Sequence, residues 1–419
     1  MNNIETIKLD NGLTIYIYSD KRRHSTLFQH VTLFGGQTKD FIVDGKEYHM
    51  QDGVAHILEH YVVEENSKGN FLKLLGEKQM GTNAATYYNM TRYYFETIED
   101  IEYGIETMIR GIYSPIFDEE RLEKIKRPIL QETKGRMDNK FYHSNQMTLN
   151  NCFESIKVRS ILGTLDEINN TTLDDVMTCY KAFYQPSNQF IVVAGSFDRD
   201  SVLNLIKKLY DELDIKSCDM KLIKHDEPNN VLKEKGILEF PTGEDYTEVT
   251  YKVNLSKFKV KEKLKLDFYL HYFFDMYFGI TSPLYNELVK DKIITTCLSC
   301  STFMMEDYIL ISVGSYSSNS EELEKRIKET IKNMDSFNEE IFELDKRDSI
   351  LKIVLRSESL LDTIMPFVSN IVEFNYPYPD TVKDLEEFNF KDFVETIKSL
   401  DFSNKTVTVI QNKKRILIS

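Results

Sequence analysis

The sequence predicts an α+β protein of two structurally similar domains, each an antiparallel-rich mixed sheet covered by helices on one face. Three observations predict it. The chain has 419 residues, more than one hydrophobic core normally organises. Segments of period-two alternation are interleaved with longer segments of helical periodicity. The order of these elements before residue 213 also returns after residue 236, with little residue identity. The domain expectation is therefore 1–213, a linker over 214–235, and 236–419.

The elements follow in order. Ile4, Thr6 and Lys8 alternate up to Asp10-Asn11-Gly12, and Leu13, Ile15 and Ile17 alternate after it, which predicts a hairpin closed at an Asn-Gly turn. A strand near 27–33 ends at Gly35-Gly36, and a helix starts at about Val54. A helix around Phe71, a strand-like stretch from Asn83 to Phe95, and helices over 101–112 and 119–137 come next. Phe190 to Ala194 form a short apolar strand, and 198–213 an amphipathic helix. Between 214 and 235 the chain is polar and weakly periodic, as a linker is. The second half then predicts strands at 247–253, 295–303, 309–315 and 406–410, with helices at 261–278 and 321–334 among others.

Composition narrows the function classes. A net charge of −15 sets the mean field against nucleic acid and anionic membranes. No run reaches the ~18 apolar residues of a membrane span, and the N-terminus lacks the layout of a secretion signal, so a cytoplasmic location is expected. The five cysteines are odd in number and mostly scattered, which argues for reduced thiols. Cys297 and Cys300 have the spacing of half a zinc knuckle or a redox pair, but no second pair accompanies them.

The informative stretch is Asp52-Gly-Val-Ala-His56-Ile-Leu-Glu59-His60. On a helix, His56 and His60 are four apart and share a face, and Glu59 lies beside them. Two neutral imidazoles can hold one zinc ion while a neighbouring carboxylate takes a proton from water that the metal has acidified. His-x-x-Glu-His reverses the commoner zinc motif His-Glu-x-x-His. The bland alternative is two histidines on a partly buried helix. A third ligand would decide, and Glu132, on the charged helix downstream, is the candidate, although alone it reads as a solvated helix glutamate. The remaining six histidines show no paired spacing.

These pieces together resemble the insulinase and pitrilysin family of zinc peptidases, in its small bacterial branch related to mitochondrial processing peptidase. The likeness rests on His56 to His60, on Gly81-Thr-Asn83-Ala84-Ala-Thr86, on the placing of Glu132, and on Tyr184-Gln-Pro186-Ser-Asn188. It implies Zn2+ held by His56, His60 and Glu132, with Glu59 as general base. It also implies that a peptide adds as an extra strand beside Asn83 and Ala84.

There are departures. Where the family often carries a second carboxylate two turns before the ligand, this chain has Ile125, and Pro128 falls inside the same helix. The family's Arg and Tyr of the second half are matched by Val289 and Thr296. The resemblance therefore implies a heterodimer, completed by a homologous non-zinc subunit that supplies Arg and Tyr. The expected activity is hydrolysis of small or unfolded peptides. The alternative is a catalytically weak peptide-binding or scaffold subunit, and a maturation factor whose partner does the chemistry is a third.

Overall fold

The computed structural model describes residues 4–64, 66–67, 69–156, 160–379 and 381–412. It forms two compact units that are discontinuous in sequence: residues 1–136, 159–224 and 357–379 make the first, and 137–158, 225–356 and 380–419 the second.

In the first unit the strands are β1 (Glu5–Lys8), β2 (Thr14–Ser19), β3 (Thr26–Thr32), β4 (Asp40–Val43), β5 (Lys46–His49), β6 (Gly81–Thr86), β7 (Thr91–Thr97), β8 (Gln189–Gly195) and β9 (Met220–Leu222). Six of them form one sheet in the order β1-β2-β8-β3-β7-β6. The hairpin predicted at Asn11-Gly12 is present, pairing Glu5 with Ile17 and Lys8 with Thr14. The strand-like stretch from Asn83 to Phe95 is two antiparallel strands, with Ala84 opposite Tyr93. A small sheet, β5-β4-β9, takes β9 from the polar stretch after residue 213.

Every residue of β3 and β8 is buried, which requires cover on both faces of the sheet. On one face Phe28, Phe95 and Ile191 pack with Ile57, Leu58, Tyr61 and Val62 of the helix Val54–Glu64 and with Ile105, Met108 and Ile112 of the helix Ile101–Ile112. On the other, Tyr16, Leu27 and Val192 meet Leu360, Ile364, Phe367 and Ile371 of the helix Leu360–Phe374, so cover extends beyond the one face expected.

The second unit contains β10 (Lys235–Phe240), β11 (Asp245–Asn254), β12 (Ser299–Met305), β13 (Tyr308–Ser317) and β14 (Lys405–Asn412), in the order β10-β14-β11-β13-β12. Val249, Tyr251, Ile311, Val313 and Val407 point to an apolar core under the helix Val260–Phe278. The intervening residues are Thr and Ser, and their face is met by the helix Lys140–Cys152, where Thr148 Oγ1 lies 2.7 Å from Thr408 Oγ1.

The two sheets share one plan. With β1 set aside, the first and last strands of each run parallel, followed by three antiparallel neighbours: β2-β8-β3-β7-β6 and β10-β14-β11-β13-β12. The strand order by sequence is first, last, second, fourth, third in both. The repeat of element order in the sequence thus corresponds to a repeat of topology. No helix among the described residues is long and apolar enough to cross a membrane.

Candidate metal centre

The helix Val54–Glu64 starts at a constrained corner. Gly53 has φ +87°, and a Cβ there would lie 2.3 Å from the carbonyl oxygen of Leu162, so only glycine fits. The buried ion pair Lys39–Asp52, 2.6 Å, ties the preceding residue. Because Ile57, Leu58, Tyr61 and Val62 occupy the core face, His56, Glu59 and His60 fall on the adjoining face, His56 and Glu59 themselves buried.

Glu132 comes from the helix Glu119–Met137, which continues through Pro128. Leu122, Ile125 and Ile129 bury its other side. The Tyr61 hydroxyl accepts from the Asp118 amide at 2.9 Å and lies 3.0 Å from the Ile116 carbonyl, joining the histidine helix to the residues just before this one. The result is convergence: one ligand atom each from His56, His60 and Glu132 lies within 4.8 Å of the others. His56 Nε2 and Glu132 Oε2 are 3.7 Å apart, close to the roughly 3.3 Å ligand–ligand edge of a tetrahedral zinc site with ~2.0 Å bonds.

The donor set suits that ion. His60 Nδ1 faces Glu64 Oε1 at 3.1 Å, which leaves Nε2 as the nitrogen to ligate and fixes the ring, the usual arrangement around ligating imidazoles. Burial, with His60 and Arg136 adding to it, holds His56 down to about 3 and therefore in the neutral, ligating form. For His60 the same burial is outweighed by Glu64, Glu59 and Glu132, and its pKa is raised. Burial also raises Glu59, against a hydrogen bond from Thr86. Arg136 Nη2 lies 3.2 Å from Glu132 Oε1 and holds that side of the carboxylate.

Asn83 and Ala84 lie in β6, the edge strand of the six-stranded sheet. Asn83 is exposed, and its Oδ1 accepts from the Ala84 amide at 2.9 Å. Ile125, which stands where the family often has an acid, is fully buried in the core and supports the helix by packing instead. Val289 is exposed, and Thr296 Oγ1 lies 3.2 Å from Ser315 Oγ. All five cysteines are unpaired. The sequence alone assigns no role to Thr86, Arg136 or Glu64. Glu64 stands four residues after His60, a helical spacing that signals it; Arg136 likewise follows Glu132 by four.

A family model described as "Peptidase M16 inactive domain" matches residues 170–347. The chain is 30% identical over 204 residues to an uncharacterized zinc protease, YmfH, of Bacillus subtilis, covering 48% of this chain and 47% of that one. It is 24% identical over 361 residues to the zinc protease PqqE of Helicobacter pylori, covering 82% and 77%. The chain is similar to zinc proteases and to the M16 inactive domain. It spans about half the length of the Bacillus relative and about three quarters of the Helicobacter one. Among solved structures, a putative M16-like peptidase from Alicyclobacillus acidocaldarius superposes with a TM-score of 0.86 over 98% of both chains at 21% identity, a likeness of fold.

Proposed function

We propose that this chain is an M16-type zinc-dependent endopeptidase that hydrolyses small or unfolded peptides, with His56, His60 and Glu132 holding the metal and Glu59 acting as general base. The observation that carries the reading is the convergence of those three ligand atoms within 4.8 Å, with Glu59 on the same helix face. Zinc supplies Lewis acidity there, lowering the pKa of water and polarising the scissile carbonyl. Glu59, buried and with a raised pKa, takes the proton of the attacking water and delivers it to the leaving amine nitrogen. The peptide adds to the edge of β6, with the small side chain of Ala84 allowing close approach and backbone pairing holding the substrate. Folded proteins cannot present such a strand, so small or unfolded peptides are the substrate class. Val289 and Thr296 in place of the family's Arg and Tyr favour a heterodimer in which a homologous chain supplies those groups.

The test is Glu59→Gln assayed on a fluorogenic peptide, with and without the partner chain. The variant keeps zinc and loses about two orders of magnitude or more in kcat. Retained activity refutes the role of Glu59. A second reading, a peptide-holding subunit without turnover, is favoured by the same Val289 and Thr296 and by the description of the matching family model. Zinc without turnover beside the partner would select it.

A further inference from the structure

Thr86 links the general base to the substrate strand. Its Oγ1 lies 2.6 Å from Glu59 Oε2, at the end of β6. It also lies 3.3 Å from Thr91 Oγ1, at the start of β7. Thr91, fully buried, donates its only hydroxyl proton to the carbonyl of Phe34 at 2.8 Å. A carbonyl oxygen can only accept, so Thr91 has no proton left for Thr86 and could only compete with Glu59 as an acceptor. The single proton of Thr86 therefore goes to the nearer and charged partner, the Glu59 carboxylate.

The support behind this pair is rigid. The connection between β6 and β7 is held by Gly36 N to Tyr87 O at 2.9 Å, Gln37 N to Tyr88 O at 2.8 Å and Tyr87 N to Met90 O at 2.8 Å. A Cβ on Gly35 would lie 2.4 Å from the Tyr87 oxygen and 2.5 Å from that of Tyr88, so this close approach of two backbones depends on glycine. Thr86 thus stands at a fixed place relative to Phe34, Thr91 and the edge strand.

We infer that Thr86 is a positioning residue for the general base: its hydroxyl holds Glu59 Oε2 and leaves Oε1 aimed at the attacking water. Because Thr86 terminates β6, the base is registered against the strand on which the peptide docks. The inference rests on the proposed role of Glu59. It predicts that removing the hydroxyl lowers kcat while peptide and metal affinity stay unchanged, because a peptide on β6 would pair with backbone and the Thr86 side chain would touch neither it nor the metal.

The experiment compares Thr86→Val, nearly isosteric and well suited to a strand, with Thr86→Ser and with Glu59→Gln. Thr86→Val lowers kcat at least about tenfold, the scale of a lost hydrogen bond to a charged group, with KM and the zinc dissociation constant from chelator competition unchanged. Thr86→Ser restores most of it. In the metal-free protein with 13C-labelled glutamate, the side-chain carboxyl resonance of Glu59, assigned by its absence in Glu59→Gln, moves in Thr86→Val and returns in Thr86→Ser. If Thr86→Val does not fold, Thr86→Ala carries the same comparison. An unmoved resonance, or kcat within about twofold of wild type while Glu59→Gln is inactive, overturns the inference and leaves the role of Glu59 standing. An active Glu59→Gln overturns both.

Discussion

Replacing Gly53 by alanine tests how the histidine helix is held in place. At φ +87° an alanine sits in the left-handed region, at a cost of roughly 1–2 kcal/mol. Its methyl would also lie 2.3 Å from the Leu162 carbonyl oxygen and 2.9 Å from the carbon, and no flexible side chain is there to give way. Displacing packed backbone adds about 1–3 kcal/mol, for a total near 3 kcal/mol. Gly69 provides the control, because it has the same φ of +87° and, among the described residues, nothing within 4 Å of the added Cβ. Gly69→Ala shows the dihedral cost alone, less the ~0.4–1 kcal/mol gained by restricting the unfolded chain. Thermal denaturation should lower the midpoint by roughly 6–12 °C for Gly53→Ala and by a few degrees for Gly69→Ala, at about 2–4 °C per kcal/mol for a unit of this size. Zinc affinity should fall only in Gly53→Ala, since Gly53 accepts the Ile57 amide at 2.9 Å and His56 follows three residues later. Equal midpoints for the two variants would refute the claim that the carbonyl of Leu162 sets the start of the helix.

Two further predictions concern groups away from the centre. Lys252 is fully buried, with its Nζ 2.6 Å from Glu227 Oε1 and 2.7 Å from the Pro228 carbonyl, between the rings of Phe153 and Tyr308. Lys252→Met leaves Glu227 only the amides of Glu154, Ser155 and Ile156, and should destabilise the second unit by about 3 kcal/mol, read as lost hydrogen-exchange protection in β11; a change under about 1 kcal/mol would contradict this. His30 is buried against Tyr210, its Nε2 2.9 Å from the hydroxyl, and burial holds its pKa down to about 3. Its contribution is complete above the unfolded value near 6.5 and declines as pH falls towards 3, because the unfolded chain takes up a proton that the native one refuses. Urea unfolding of wild type should therefore lose about 1 kcal/mol per pH unit more between pH 6 and 5 than unfolding of His30→Asn, and equal slopes would exclude a buried neutral His30.

Much of the fold is legible in the sequence where one physical pattern dominates. The alternation around Asn11-Gly12 yields β1 and β2, and helical periodicity locates 101–112 and 119–137. The hairpin of β6 and β7 was hidden because Tyr87 and Tyr88, at its turn, have strong strand propensity. The helix Lys140–Cys152 is not legible for another reason: Ser144, Thr148 and Asn151 share its buried face with Leu149 and Cys152, so no continuous apolar stripe marks it. The discontinuity of the units, with 357–379 in the first and 137–158 in the second, leaves no local trace. At the candidate site, His56, Glu59 and His60 follow from helical spacing alone. Glu132 is no more than a candidate third ligand until the family likeness supports it, since an isolated glutamate carries no signal. The place of Thr86 beside Glu59 depends on contacts across 27 residues of sequence, which no periodicity encodes.

The central claim is that two imidazoles and one carboxylate hold a single zinc ion. Zinc stoichiometry with K-edge X-ray absorption on wild type and Glu132→Gln tests it most directly. One zinc per chain, a first shell of nitrogen and oxygen at about 2.0–2.2 Å, and weakened binding in Glu132→Gln are expected. A sulfur shell at about 2.3 Å, which would place the ion on cysteines, or an unchanged spectrum and affinity in Glu132→Gln would contradict it.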